Sequence, residues 1–283
     1  YPIQCGNFKL DGGAMFGVVP KSLWERTNPA DSKNLIELGT RSLLVEDGKK
    51  LILIDCGLGN KQDEKFFGHY SLYGDESLDK NLKKFGFVRE DITDVFLTHL
   101  HFDHCGGAIE WNDDKTGYRP AFKNAQFWTN ENHWQWATEP NPREKASFLK
   151  ENILPMQESG QLQFLPTPKT GNYGFAPDLK MDVIFVDGHT EKQMLPVIQY
   201  QEKTIVFAAD LIPTAGHIPQ VYVMGYDTRP LLTMEEKGKF LKQCVENEYL
   251  LFFEHDAHHE LASLKMTEKG VKLDETFSFN EVF

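Results

Sequence analysis

The chain is poor in cysteine, with four in 283 residues, and Cys5, Cys56, Cys105 and Cys244 lack the paired spacing of a zinc ribbon or a redox motif. A disulfide framework is therefore not expected, and free thiols favour a reducing, cytoplasmic setting. There is no apolar run near the roughly 18 residues needed to cross a bilayer, so no membrane partner is expected. The first ten residues, "YPIQCGNFKL", lack the charged, apolar and cleavage regions of a signal peptide, although a start at Tyr1 leaves room for a removed N-terminal segment. Positive charge is also scarce: Lys and Arg number 30 against 42 Asp and Glu, a net charge of −12, with no basic cluster dense enough to follow a phosphate backbone. Nucleic acid is thus excluded as an expected partner. Low-complexity tracts, solenoid repeats and composition shifts are missing too, which predicts one domain over residues 1–283. What remains, 40% hydrophobic and 25% charged, is the composition of a globular protein.

Periodicity predicts the order of elements. "FKLDGGAMFGVVP" reads as two short strands about a Gly12-Gly13 turn, and "RSLLVEDGKKLILIDCG" as a hairpin turning at Asp47-Gly48. "SLDKNLKKFGF" reads as a helix capped by Ser77 and stopped at Gly86. "DITDVFLTH" and "AQFWT" read as strands, "ENHWQW" and "PREKASFLKENIL" as helices, "QLQFL" as strand, and 166–178 as a Pro- and Gly-rich loop. "MDVIFVDGH", "MLPVIQY", "TIVFAAD" and "YLLFFEH" read as strands, with a long loop from Pro213 to Pro230 and a helix over "TMEEKGKFLKQCVENE". Strands, helices, strands again and a last helix and strand suit a layered α/β sandwich.

Four of these apolar runs end on residue types that bind metals: "VFLTH" at His99, "VIFVDGH" at His189, "TIVFAAD" at Asp210 and "YLLFFEH" at His255. The carboxyl ends of core strands open onto a crevice where loops gather distant side chains, so these four can share one site. His101, Asp103 and His104 crowd in beside His99, giving five His and two Asp. Imidazole nitrogen and carboxylate oxygen without thiolate suit zinc, and also iron, manganese or cobalt. Seven donors suffice for two divalent ions if one carboxylate bridges, and such a pair supplies a Lewis acid and a water with a pKa near 7. Gly106-Gly107 fits a loop that turns tightly where backbones approach. Asp55, ending "LILID", is a candidate for holding a ligand imidazole in one tautomer.

"HLHFDHCGG" matches the H-x-H-x-D-H signature of the metallo-β-lactamase fold, and "DGHT", "AAD" and "FEHD" follow in that family's order. The chain therefore resembles this family over essentially its whole length. The resemblance implies a four-layer αββα sandwich with His99, His101 and His189 on one metal, Asp103, His104 and His255 on the other, and Asp210 bridging. "DGGAMFGVVPKSLW" and "DLIPTAGHIPQVYVMGYD" resemble the branch of N-acyl homoserine lactone lactonases and methyl-parathion-hydrolase-like enzymes, although "GHTEKQ" lacks the Gly-His pair usual after the lactonase "GHT". The branch implies quorum-quenching hydrolysis of a small lactone or ester by a hydroxide held between the metals. It also implies Asp103 as proton carrier, Tyr222 or Tyr226 near the substrate carbonyl, and a homodimer. A phosphotriesterase or a glyoxalase II-like thioesterase would use the same ligands, and a non-catalytic metal scaffold is the reading of another class.

The other histidines read as plain. His133, His258 and His259 lie among polar or helical neighbours as solvated surface residues, His69 sits in a loop, and His217 either lines a pocket or packs its loop. Cys105 reads as a small buried residue under the loop. Phe16, Trp24, Phe67, Trp134 and Trp136 are candidates for an acyl-binding wall, although aromatics at 12% must mostly be core.

Overall fold

Runs of apolar residues without polar alternation form strands covered on both faces. The computed structural model describes residues 1–283, which divide into two units, residues 1–7 with 40–171 and residues 8–39 with 172–283.

Strands of the first sheet are β1 (Pro2–Asp11), β2 (Leu35–Asp47), β3 (Lys50–Ile54) and β4 (Asp94–Phe96). After β4, β5 (Ile109–Trp111) and β6 (Tyr118–Pro120) form a separate ribbon, and β7 (Gln126–Asn130) and β8 (Leu162–Leu165) complete the sheet in the order β1-β2-β3-β4-β7-β8. β2 and β3 form the expected hairpin, Asp47 opposite Lys50, while β3, β4, β7 and β8 pair in parallel. Parallel pairing matters for the chemistry because it brings the carboxyl ends of β3 and β4 to one edge. The core beneath includes Leu53, Val95, Leu97, Phe127 and Ile153.

The second unit holds a sheet of β9 (Tyr173–Ala176), β10 (Met181–Val186), β11 (Gln193–Tyr200), β12 (Lys203–Phe207), β13 (Leu250–Phe252), β14 (Leu261–Thr267) and β15 (Gly270–Phe277), in the order β15 to β9. β12 and β13 are parallel, and β10 is antiparallel to β11, itself antiparallel to β12. β10, β12 and β13 therefore all point the same way. No helix in either unit is long and apolar enough to cross a membrane, and no cysteine lies in a disulfide.

Three expectations need correction, and one hairpin was not expected at all. Gly12–Phe16 is a helical turn, not a strand, because the Asp11 carboxylate accepts from Ala14 N at 2.8 Å and Gly12 N donates to Asn34 O at 2.8 Å. The 166–178 segment contains β9, an edge strand whose single partner β10 tolerates Gly174 opposite Val183. "PREKASFLKENIL" is helical only from Lys150, since Asn141 Oδ1 takes the amides of Arg143 and Glu144 and turns the chain there. The hairpin of β14 and β15 escapes an apolar-run reading because β15 is largely exposed. Ser77, in contrast, caps the helix Leu78–Lys84 as expected, accepting from Lys80 N at 3.4 Å.

Candidate metal centre

His99, His189, Asp210 and His255 each lie three residues past the last residue of a strand, after Phe96, Val186, Phe207 and Phe252 respectively. Three residues suffice to leave the ladder and turn a side chain over the sheet edge. Since β10, β12 and β13 share a direction, the second unit brings His189, Asp210 and His255 out at one edge.

In the first unit, Asp55 follows directly on Ile54 and holds the left-handed conformation at φ 54°, which Asp tolerates better than most residues. Its Oδ1 accepts from Thr98 N at 2.8 Å, and its Oδ2 accepts from Thr98 Oγ1 at 2.6 Å and from His104 Nδ1 at 3.0 Å. The hydroxyl has one proton and gives it to Asp55, so Thr98 Oγ1 accepts from His99 Nδ1 at 3.1 Å. His99 and His104 are thus both fixed with the proton on Nδ1 and a lone pair on Nε2. His99 Nε2 stands 3.0 Å from His101 Nδ1, near the ~3.4 Å between two nitrogens at about 2.1 Å on one tetrahedral zinc. Asp103 Oδ1 lies 3.9 Å from His104 Nε2 and keeps some exposure. Gly106 and Gly107 turn the loop where a Cβ would come within 2.1 Å of Leu58 O and Cys56 O, so only glycine fits. Cys105 is buried beneath, its thiol on Leu100 O.

The second unit repeats the device. His189 Nδ1 donates to Asp227 Oδ1 at 2.9 Å, and His255 Nδ1 donates to Gly39 O at 2.9 Å. Their Nε2 atoms then face the two oxygens of a single carboxylate. Asp210 Oδ2 is 3.2 Å from His189 Nε2, and Oδ1 is 3.1 Å from His255 Nε2. A carboxylate with one oxygen toward each of two imidazole lone pairs is the donor chemistry of a bridge between two cations. The residues fit a metal site of nitrogen and oxygen ligands, with Nδ1 of His99, His104, His189 and His255 already engaged. His99, His101, His104, Asp103, His189, Asp210 and His255 all belong to His and Asp groups able to hold an ion.

Several residues of this machinery were not legible. Asp227 lies 38 residues from His189 with no marking pattern. His133 was expected at the surface, yet it is fully buried and its Nε2 accepts from Leu100 N at 2.9 Å, bracing the residue between two candidate ligands. Its helix, Glu131–Thr138, turns that face inward because Asn130 caps it through His133 N. His258 and His69 are exposed and half-buried His259 gives its N–H to Asp256, without any place in these groups. Of the aromatic candidates, Phe16, Trp24 and Trp134 are core, while Phe67 and Trp136 are partly buried. Tyr222 is half-buried and meets Phe16 edge-on, whereas Tyr226 is 42% exposed.

His217 packs its loop. It stacks on Phe16 at 4.1 Å between ring centroids, and its Nδ1 and Nε2 engage Thr214 Oγ1 at 2.8 Å and Met15 O at 2.9 Å. Burial holds its pKa down at about 3, from 6.5. Between those values the unfolded chain takes a proton that the folded chain refuses. The stabilisation is therefore complete above pH 6.5 and is lost as pH falls toward 3. In metal-free protein, His217→Gln is expected to remove about 1–2 kcal/mol of the fall in urea unfolding free energy between about pH 7 and 5. An unchanged slope would show that other groups carry the acid sensitivity. Lys237, also buried, donates to His217 O at 3.0 Å and to Tyr222 O, clamping the same loop, and burial lowers its pKa to about 7.

Known proteins share this framework. The family model of the metallo-beta-lactamase superfamily matches residues 35–237. An N-acyl homoserine lactonase of Bacillus cereus is 23% identical over 240 residues, covering 80% of this chain and 85% of the relative. Among solved structures, a probable metal-dependent hydrolase from Staphylococcus aureus superposes with a TM-score of 0.86 at 27% identity, covering 98% of this chain and 95% of that one. AidC, a dizinc quorum-quenching lactonase in complex with the product N-hexanoyl-L-homoserine, reaches a TM-score of 0.76 at 22% identity, with 98% and 94% covered. The strand-end histidines, the carboxylate between two imidazoles and the family match over most of the chain agree with the expected fold, and the chain belongs to the metallo-β-lactamase superfamily as a metal-dependent hydrolase.

Proposed function

We propose that the protein opens a lactone or a similar small ester with two divalent ions, zinc by preference, in a single domain spanning residues 1–283. His99, His101 and His189 would hold one ion and Asp103, His104 and His255 the other, with Asp210 between them. The observation that carries this reading is Asp210, whose two oxygens face different imidazoles at 3.2 and 3.1 Å. When bound, the ions supply a Lewis acid for the carbonyl and a water acidified to a pKa near 7.

The chain's own residues do the rest. Asp103, the one carboxylate of the loop and partly exposed, accepts the proton of the attacking water and returns it to the leaving alkoxide. A tyrosine hydroxyl from the 213–229 loop donates to the developing oxyanion. Tyr222 is the better placed for this, because Phe16 and the Lys237 clamp on its carbonyl hold it, while Tyr226 is more exposed. Asp55 and Asp227 keep the imidazoles pointed and raise their basicity. The lactonase activity of the relatives supports the substrate class, and cysteines outside any disulfide suit a reducing cytoplasm.

Metal analysis and a panel of acyl homoserine lactones, phosphotriesters, thioesters and β-lactams test the reading. Lactone turnover above the other three is expected, with about two ions per chain. Tyr222→Phe should lower kcat about 100- to 1000-fold, the range for losing one oxyanion donor, and exceed the effect of Tyr226→Phe. Preference for a phosphotriester or thioester would move the substrate class, and two bound ions without turnover of any substrate would leave a metal scaffold. Light scattering of the same sample tests the homodimer.

A further inference from the structure

Four of the five imidazoles have Nδ1 engaged by Thr98, Asp55, Asp227 or Gly39 O. His101 is reversed: its Nδ1 faces His99 and its Nε2 points outward. Behind that nitrogen lies Glu144, a carboxylate only 3% exposed, with Oε1 at 3.4 Å from His101 Nε2. The opposite oxygen is committed elsewhere. Oε2 accepts from Trp136 Nε1 at 2.7 Å and from Asn141 Nδ2 at 2.6 Å. The backbone seats the same segment against the loop, since Phe102 N donates to Ser147 O at 3.0 Å and Ser147 N to Glu144 O at 2.8 Å. The Phe148 ring, 4.7 Å from the His101 ring, covers the pair.

We propose that Glu144 is the positioning residue for His101. Its carboxylate fixes the proton on Nε2, so that His101 presents Nδ1 toward His99 and becomes the one Nδ1 ligand of the centre. The chemistry explains why a carboxylate stands here. Two neutral N–H donors hold Oε2, which turns Oε1 toward the imidazole and leaves it the natural acceptor for Nε2–H. A glutamine in its place would set its amide N–H groups against either the Trp136 and Asn141 donors or the imidazole N–H. The segment from Pro142 to Leu149 is irregular backbone where a helix was expected, and that irregularity sets Glu144 behind the ligand.

The inference rests on the two-metal reading above, and zinc titration of the whole protein separates the two. Against a chromophoric chelator, Glu144→Ala and Glu144→Gln are expected to weaken one of two zinc sites by about 10- to 100-fold and leave the other unchanged. Trp136→Phe, which removes one donor to Oε2 and leaves Oε1 in place, should have a much smaller effect. Long-range proton-nitrogen NMR of zinc-loaded wild type should show His101 protonated on Nε2, a signature that packing alone would not produce and that needs no variant. Wild-type zinc affinities in both Glu144 variants, His101 protonated on Nδ1, or equal weakening by Trp136→Phe would each overturn the positioning role. Wild-type protein that binds no zinc would overturn the two-metal reading together with this one, whereas two tight sites in wild type and in both Glu144 variants would overturn this one alone.

Discussion

Asp210→Ala is expected to drop bound metal from about two ions per chain toward one and to abolish turnover, a loss beyond the ~100-fold typical for removing a residue behind a ligand. The reason is geometric. Each Asp210 oxygen faces a different imidazole, at 3.2 and 3.1 Å, so on the two-metal reading truncation would take a donor from each ion. Without that negative charge, less of the charge of two divalent ions would be offset by the residues that hold them. Asp210→Asn sharpens the test, since the amide keeps shape and one oxygen and can serve only one ion. Elemental analysis after gel filtration, with kcat/KM at saturating metal, measures both. Two ions at wild-type affinity together with full activity in either variant would end the bridging role.

The second large effect belongs to Asp55, which acts through its hydrogen bonds to neighbouring residues. It is fully buried and accepts from Thr98 N, Thr98 Oγ1 and His104 Nδ1 directly, and through the Thr98 hydroxyl it holds His99. Asp55→Ala would leave the Thr98 amide and the His104 Nδ1–H buried without acceptors, at roughly 1–3 kcal/mol each. Alanine is also less at ease than aspartate at φ 54°, which adds about 1 kcal/mol. A total of about 3–7 kcal/mol approaches the whole stability of many domains, so metal-free Asp55→Ala is expected to unfold at markedly lower urea. Asp55→Asn separates stability from ligation. Asparagine accepts the same backbone conformation, but its amide N–H groups oppose His104 Nδ1–H and push that ring to the other tautomer. The Asn variant should therefore fold while losing zinc affinity by about 10- to 100-fold. Tight zinc binding in folded Asp55→Asn would show that the tautomer of His104 is set elsewhere.

How far these residues could be read from the sequence depended on distance along the chain. His99, His101, Asp103 and His104 crowd one loop, and His189, Asp210 and His255 close apolar runs, so type and placement at strand ends were legible together. Gly106 and Gly107 were legible for the same local reason. Asp55 was visible as a strand-end acid, but its link to His104 spans 49 residues and needed parallel β3 and β4 to form. His133 was misread because helical neighbours look solvated until the helix is docked. Glu144 lay inside an expected helix that Asn141 instead turns, and Asp227 carries no mark of its own in a long loop. A propensity reading weighs near neighbours, whereas these side chains act on residues about 40 positions away.

By itself the sequence determined the inventory: His and Asp donors without thiolate, strands that end on them, and a net charge of −12. Only the tertiary structure decided which nitrogen of each imidazole faces inward. An isolated imidazole exchanges its proton between Nδ1 and Nε2 at little cost, so its ligand atom is chosen by whichever acceptor the fold sets behind the ring. Thr98, Asp55, Asp227 and the Gly39 carbonyl set four rings one way, and Glu144 stands behind the fifth, which faces the other.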